Sequence, residues 1–467
     1  MKRSTRVGWF AVPVLALALA IAAGCGGSSS SGGTGGSSAG GSSAGGLGSS
    51  YDVSKAGNVT LTMWWLGDQE VPGIQAWMKK IIAAYEAKYP NVTIKQVIQS
   101  TANWTQTQSI ACKGQSGPDL WYNWSGTWSL EQAWAGCTVP NSTVLSSSDL
   151  AHDTNVAETE WQGQSWLYPL YRFVYPLVYN KKLFTQAGID PSNPPTSWNS
   201  FISACQKLKQ AGVQPIELGL KDGFGGEILG SATFQKQIFS SYAPLIKMSV
   251  DGNFEGAAWK SWIAKAAALK PFVNNDVNSL NFGDALARFQ AGKAAMVFGT
   301  PGAQQTIIAM QKAGADVGVM KPPVFGSGGY ADSLVNTGNG FQVTRWSQNP
   351  QVAGSFMAFM HEPQNLDSLY AMTGIFPSDD RWAGGAQVTS ATDKEMLAWL
   401  KQKNVNYPAN YYPTDLDVNG NFVVFQGLLG GNMTVDQAAQ TYQSVIEKWR
   451  KLHSQDVQNY TEWASGG

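Results

Sequence analysis

VTLTMWW (Val59–Trp65) reads as a strand, and the segments after it decide the fold. Gly67-Asp68 turns the chain. From Pro72 onward, Ile74, Trp77, Met78, Ile81, Ile82 and Tyr85 recur at the spacing of one helix face. Pro90-Asn91 breaks that helix, and Val92–Ile98 is a second strand. A helix around Thr105–Cys112 then leads to PDLWY (Pro118–Tyr122), a third strand. The alternation β-α-β-α-β predicts a mostly parallel sheet with helices on both faces. Ligands of such sheets bind beyond the carboxyl ends of the strands. The segments there are Leu66–Asp68, Ser100–Trp104 and Asn123–Ser125, rich in Trp, Asn, Ser, Thr and Asp.

Upstream, MKRSTR is followed by an apolar run from Val7 to Ala23 and by Ala22-Ala23-Gly24-Cys25. A basic start, an apolar stretch and small residues at the cut make a secretory signal peptide, residues 1–24. Cys25 at the cut resembles the lipobox of bacterial lipoproteins, in which the thiol is diacylglycerated and becomes the mature N-terminus. That motif usually has Leu three residues before the cysteine, where this chain has Ala22. The run is too short for a membrane span and holds Pro13. Residues 25–50 are almost only Gly and Ser and cannot bury a core. As a coil they reach roughly 25–30 Å, a tether that lets a folded domain float off a membrane.

The chain from Tyr51 to Gly467 is too long for one ordinary core and fits two lobes. Charged residues are 14% and the net charge is zero, against about 25% charged in typical soluble proteins. No basic cluster suggests nucleic acid. The 19 Trp, 16 Tyr and 19 Phe, with many Asn, Gln, Ser and Thr, suit a neutral amphipathic ligand such as a sugar, although most of these rings serve the core. His152, His361 and His453 are too far apart to form a metal motif, and no CxxC, HExxH or Walker pattern occurs. Neither metal nor cofactor is expected. Cys205 lies on the apolar face of a helix with Trp198, Phe201, Ile202 and Leu208. Cys112 and Cys137 flank the start of the third strand, and an oxidising compartment allows a disulfide between them.

An extended run with two prolines, YPLYRFVYPLVYNK (Tyr168–Lys181), comes next, then a short helix ending at AGID (Ala187–Asp190). PPTSW (Pro194–Trp198) opens a helix that stops at Ala211-Gly212, and Gln214–Leu220 is a strand. This middle portion resembles family 1 extracellular solute-binding proteins, the maltose-binding-protein-like receptors of ABC sugar importers. Further blocks keep the family order: LTMWWLGD at the first strand, GPDLWYNW at the third, FQAGKAAM (Phe289–Met296), and VGVMKPP (Val317–Pro323). Thr434-Val-Asp-Gln437 opens the last helix as a capping box, with Val435, Ala438, Tyr442, Val445 and Trp449 on one face. The resemblance runs from about Val59 to Leu452.

It implies an α/β, two-lobed periplasmic-binding-protein fold of type II. Each lobe is expected to be a mostly parallel sheet flanked by helices, with the ligand in the cleft between them. Crossings are implied near Tyr171–Val174, Met320–Pro323 and Met372–Phe376. The first lobe would be 51–171 plus 324–371, and the second 172–323 plus 372–467. Ligand bridging both lobes shifts an open–closed equilibrium toward the closed form, which the membrane permease recognises. No bond is broken, so the resemblance implies no catalytic group.

The resemblance also implies site residues. Trp65 and Asp68 follow the first strand, where the family binds sugar hydroxyls; otherwise Asp68 is a solvated turn and Trp65 is core. Asn123 and Trp124 follow the third strand, and Trp104 lies in a polar loop. Arg172 and Phe173 stand at the hinge. Arg172 would fork onto two hydroxyls or pair with a carboxylate across the cleft. Phe224, in DGFGG (Asp222–Gly226), resembles the second lobe's aromatic platform. Many family members carry Gly-x-Trp after the GKAAM block; here Phe298-Gly299-Thr300-Pro301 has no Trp, leaving Thr300 as a hydrogen-bond donor. Asn339 and Phe376 are further cleft candidates, while Tyr179, Asn180 and Trp198 read as structural.

The sequence thus predicts a monomeric lipoprotein, held outside the cytoplasm by Cys25. It would bind a carbohydrate and deliver it to an ABC permease with its cytoplasmic ATPase. Within the fold, the rival is a receptor for another solute such as a polyamine or phosphorylated polyol. A polyamine needs several cleft carboxylates, an anion more basic residues than Arg172. A secreted glycoside hydrolase would need two carboxylates about 5–10 Å apart. An adhesin or carbohydrate-binding module would more usually be a β-sandwich.

Overall fold

The computed structural model describes residues 46–299, 303–382, 384 and 387–466. The signal peptide, Cys25, most of the Gly/Ser tract and Thr300 lie outside the described residues. The chain is already docked at Gly48–Ser50, just short of where the tether is expected to end. The Gly48 amide donates to the Val144 carbonyl, and the Ser49 hydroxyl to Asp149 at 2.6 Å. Among the described residues, no helix is long and apolar enough to cross a membrane.

Thirteen strands form in chain order among the described residues. They are β1 (Val59–Trp65), β2 (Val92–Ile98), β3 (Leu120–Trp124), β4 (Glu160–Trp161), β5 (Gln164–Ser165), β6 (Tyr168–Val174) and β7 (Leu177–Asn180). β8 (Gln214–Glu217), β9 (Ala294–Phe298), β10 (Val317–Met320), β11 (Leu334–Val343), β12 (Phe376–Pro377) and β13 (Asn404–Asn406) complete the set. The larger sheet has seven strands in the order β12-β6-β11-β3-β1-β2, with β13 on β11. The smaller has four, β10-β7-β9-β8. β4 and β5 make a separate hairpin.

The opening β-α-β-α-β appears as read. β1 pairs parallel with both β2 and β3, and Trp77, Met78, Ile81, Ile82 and Tyr85 of the helix Ile74–Lys88 are buried. The sheets are mixed rather than mostly parallel. In the larger sheet β6 runs antiparallel to β11 and β12, and β11 antiparallel to β3 but parallel to β13, while β7 runs antiparallel to both β9 and β10. The cause is connectivity. β6 carries the chain out of the larger sheet and β11 brings it back, so adjacent strands run in opposite senses.

The Tyr168–Lys181 run, read as one extended segment, splits into β6 and β7 across Tyr175-Pro176. Val174 is the last residue of the larger sheet and Leu177 the first of the smaller. Proline cannot donate to a ladder, which suits it to the step between sheets. The return segment, residues 321–333, is strapped to the helical stretch before it. Lys236 is fully buried, and its ammonium donates to the carbonyls of Ala331 at 2.8 Å and Ser333 at 2.6 Å. The Gln237 side chain donates to the Pro323 carbonyl and accepts the amides of Phe325 and Gly326. After Met372 the chain stays on the larger sheet: Phe376 pairs with Arg172, and β13 pairs with β11. That is later than the third crossing the resemblance implies.

Helix ends follow local chemistry. Ser197 and Thr434 cap the helices Trp198–Gln210 and Val435–Leu452 with reciprocal capping boxes. Cys205 is buried within the first of them. Cys112 and Cys137 are joined in a disulfide, their Cα atoms 5.3 Å apart across a separation of 25 residues. Constraint of the unfolded chain by a loop of that size is worth about 3 kcal/mol. The double variant C112A/C137A is therefore expected to lose about that much in denaturant unfolding, and reductant should no longer shift its midpoint. A parent protein indifferent to reductant would show that the bond contributes nothing.

Candidate functional site

The loop after β1 carries two carboxylates with different tasks. Asp68 is exposed, and its Oδ1 accepts the Gln75 amide at 2.8 Å, satisfying an orphan N–H in the first turn of the helix Ile74–Lys88. Glu70 is half-buried. Its Oε1 accepts from Tyr122 Oη at 2.8 Å and from the Trp124 indole at 2.7 Å, while Oε2 takes no hydrogen bond from the described residues. Tyr171 Oη donates to Tyr122 Oη at 3.1 Å, extending the chain to β6. Burial pushes the Glu70 carboxyl up, and its two ring donors pull against that.

Strand register builds the wall behind Glu70. Trp124 on β3 stands opposite Asn339 on β11, which stands opposite Tyr171 on β6. Tyr122 and Trp124 lie two residues apart, so they share a face of the sheet. Trp124 is half-buried and meets Trp128 edge-on, ring centroids 5.2 Å apart.

A second set of groups comes from residues beyond the smaller sheet's β8. Gly223 turns with φ +84°, and a Cβ there would collide with the Phe422 ring, so only glycine fits. The short helix Phe224–Ile228 comes directly after it. Phe224 is 39% exposed, its ring edge-on to Phe422 at 5.5 Å. Three residues on, Glu227 is buried and makes no hydrogen bond of good geometry with the described residues. Burial, with the negative charge of Glu70 adding to it, pushes its carboxyl up to about 7. Tyr407 lies beside Glu227, its buried hydroxyl close enough to pull that carboxyl down yet short of good hydrogen-bond geometry, and its ring stacked on Tyr175 at 4.8 Å. Asp417 is fully buried. Its Oδ1 accepts from Asn421 at 2.6 Å and its Oδ2 has no such partner; burial and then the Glu227 charge hold it well above the ordinary range. Glu70 is thus met by Tyr122 and Trp124 and Glu227 by Tyr407, and the charges of Glu70 and Asp417 are each coupled to that of Glu227.

A profile of the bacterial extracellular solute-binding proteins matches residues 68–366. The chain belongs to that family. Among curated relatives, it is 25% identical over 215 residues to the sn-glycerol-3-phosphate-binding periplasmic protein UgpB of Pectobacterium atrosepticum, covering 43% of this chain and 45% of the relative. To UgpB of Salmonella typhimurium it is 26% identical over 211 residues, 43% of this chain and 46% of the relative. It thus spans less than half the length of these relatives. Similar solved structures include a chitin oligosaccharide binding protein (TM-score 0.71, 20% identity, 84% of this chain and 98% of that one). The GacH receptor of Streptomyces glaucescens matches with a TM-score of 0.64 at 19% identity, over 84% and 98% of the two chains. The fold is the two-lobed, type II one of these proteins.

Against the family expectations, the site residues divide. Trp124 and Phe224 stand at or beside the carboxylates. Trp65, Trp104, Phe173 and Phe376 are buried to 2% exposure or less and pack in the core. Asn123 is fully buried and spends its amide on the Trp128 carbonyl and Gln342. Asn339 is buried with its amide nitrogen unpartnered among the described residues, in register with Trp124. Arg172 forms no ion pair with the described residues. Its Nε is buried without a partner there, and burial pulls the guanidinium down to about 10. Away from this site, His152, Asp379 and Asp380 bring ligand atoms within 4.8 Å of one another, but Arg381 Nε already holds Asp379 at 2.9 Å.

Sequence reasoning passed over Glu70, Tyr122, Glu227, Tyr407 and Asp417. Glu70 was signalled by standing two residues after Asp68. Glu227 is the lone charge in GFGGEILG. Tyr407 and Asp417 gave no local signal, because they reach the site through the fold.

Glu227 titrates near 4.5 in an unfolded chain and near 7 here, so the unfolded state sheds this proton first. The stability it allows at low pH is lost as pH rises through that window. Glu227→Gln is therefore expected to unfold at higher denaturant than the parent at pH 8 and to match it at pH 4, with a ceiling of about 3 kcal/mol. A variant less stable than the parent at pH 8 would contradict this account.

Proposed function

We propose that this protein is the extracytoplasmic receptor of an ABC importer and that its solute is a carbohydrate, captured by closure of the two lobes. The carrying observation is the Glu70–Tyr122–Trp124 cluster facing the electrostatic reach of Glu227. One carboxylate oxygen is pinned by two ring donors and the other is left open, beside rings able to cover a sugar's C–H face. Glu70 comes after a strand of one sheet and Glu227 after a strand of the other. A ligand contacting both would draw the lobes together and favour the closed form that a permease docks. In this reading the apolar leader, Cys25 lipidation and the Gly/Ser tract hold a monomeric receptor at the membrane's outer face, and no bond is broken.

Glycerol phosphate, the solute named for the UgpB relatives, fits this site less well. A dianionic phosphate would meet three carboxylates, and Arg172 carries the one basic group among the site residues inferred from the sequence. A hydrolase would use Glu70 and Glu227 as a carboxylate pair and release cleavage products.

Titration of the purified protein with mono-, di- and oligosaccharides, read by Trp fluorescence and thermal shift, is expected to give a saturable response to one sugar class. Trp124→Ala and Glu70→Gln should each weaken it by tenfold or more without changing the unfolding midpoint of the empty protein by much. A response to glycerol 3-phosphate alone would remove the sugar assignment and spare the receptor. Shortened oligosaccharides in the mixture would replace receptor by enzyme.

A further inference from the structure

Residues 321–333 bring the chain back from the smaller sheet to the larger. Among the described residues, every hydrogen bond leaving this segment goes to elements that lie between β7 and β9 in the chain. The Val324 amide donates to the Thr196 carbonyl and its carbonyl accepts the Trp198 amide, both at 2.9 Å. Gln237 gathers three more bonds. Its Nε2 donates to the Pro323 carbonyl at 3.0 Å, and its Oε1 accepts the Phe325 and Gly326 amides at 2.8 and 3.1 Å. The Gly328 amide reaches the Gln237 carbonyl at 3.0 Å, and the Gly329 amide the Ser240 hydroxyl at 2.8 Å. A Cβ at Gly326 or Gly328 would strike that same carbonyl, so the two backbones lie against each other.

Lys236 closes the row. Its ammonium, 1% exposed, donates to the Ala331 and Ser333 carbonyls at 2.8 and 2.6 Å. Asp332, between those two residues, pairs instead with Lys321 at 2.9 Å, inside the segment. A buried ammonium is costly unless hydrogen-bonded, which commits this one to the two carbonyls.

One residue later the attachment changes sides. Leu334, Val335 and Asn336 pair with Asn404, Val405 and Asn406 of β13, and Asn336 stands opposite Val174 on β6. The outgoing passage changes sides at the same level. The Tyr175 amide donates to the Val335 carbonyl at 3.0 Å, while Leu177 already pairs with Met320 and Phe298 of the smaller sheet. Pro176 on the way out and the Ser333-Leu334 link on the way back are what stand between the two sets of bonds.

We propose that Lys236 is the latch of the hinge between the two sheets. It carries residues 321–333 with the smaller sheet and so places the bend of the return passage at Ser333-Leu334, level with Pro176. A hinge is a few residues that absorb the φ/ψ change, and a latch that holds the chain up to the bend keeps it short. The inference does not depend on which solute the protein binds.

The test is pulsed electron paramagnetic resonance on the full protein carrying Cys25→Ser, which leaves the buried Cys205 and the Cys112–Cys137 disulfide as its native cysteines. Nitroxides go in pairs on Ser327→Cys with Lys293→Cys, and on Ser327→Cys with Lys80→Cys. All three positions are exposed; they lie on the return segment, just before β9 and on the helix Ile74–Lys88. The Ser327–Lys293 distance distribution is expected to be about half as wide as the Ser327–Lys80 one. Lys236→Met keeps an unbranched stem and removes the donors, and should widen the Ser327–Lys293 distribution about twofold. Lys321→Ala removes an ion pair internal to the segment and should leave both widths as in the parent. Gly328→Ala, whose methyl would push the segment off Gln237, repeats the test by another route if Lys236→Met does not fold. A Ser327–Lys80 distribution as narrow as the Ser327–Lys293 one would overturn the inference. So would variants that lower the unfolding midpoint while leaving the widths unchanged, since that is what a purely structural lysine gives. The sugar titration tests the solute separately, and its failure leaves the hinge untouched.

Discussion

One antiparallel pair, β6 with β11, governs passage between the two sheets. The chain leaves the larger sheet from β6 through Tyr175-Pro176 and re-enters it at β11 from residues 321–333. The same pairing sets Tyr171 opposite Asn339, and β11 in turn sets Asn339 opposite Trp124. A slip of one residue would send Tyr171 to the other face and break the Tyr171–Tyr122–Glu70 chain of hydrogen bonds. Gly340 helps to hold the register. A Cβ there would strike the Tyr168 carbonyl, so the strands approach closely just where the pairing shifts. Fold and site therefore share one constraint.

What the sequence disclosed was mostly local. The face Ile74–Tyr85, the boxes at Ser197 and Thr434, and the proline between two strands each arise from spacing or backbone chemistry within a few residues. Ordered blocks then located the chain among two-lobed receptors. Strand sense was less legible, because periodicity does not record which sheet a strand comes from. Exposure was hardest of all. Trp65 and Trp104 look like stacking platforms in a polar setting, yet each has its indole packed in the core. Trp124, one strand over, differs in having Glu70 to receive its N–H. Tyr407 and Asp417 lie about 180 residues or more beyond Glu227, and no pattern of neighbours links them.

The balance of buried polar groups separates scaffold from site. Around Asp417 the network is nearly closed: Tyr412 donates to Gln235, Asn421 donates to Tyr412 and Asp417, and Tyr442 donates to Asn421. Such a network rigidifies what it surrounds. It stops at Asp417 Oδ2, which has no partner among the described residues. A buried carboxylate oxygen without a partner costs free energy that a ligand's donor could return.

Glu70 follows a strand of one sheet and Glu227 a strand of the other, so a ligand contacting both would favour their approach. The straps at Lys236 and Gln237 fix residues 323–333 to the helical stretch Leu229–Ile238, whose neighbour Phe224–Ile228 carries Glu227. Burial without a carboxylate partner pulls the Lys236 ammonium down to about 7, yet a neutral amine still has two N–H bonds for the same two carbonyls. The step at Tyr175-Pro176 is held as well, by the Tyr175 amide donating to the Val335 carbonyl at 3.0 Å. There Tyr175, stacked on Tyr407, feels the charge of Glu227 directly. Tyr175 therefore joins the step between the sheets to the surroundings of Glu227.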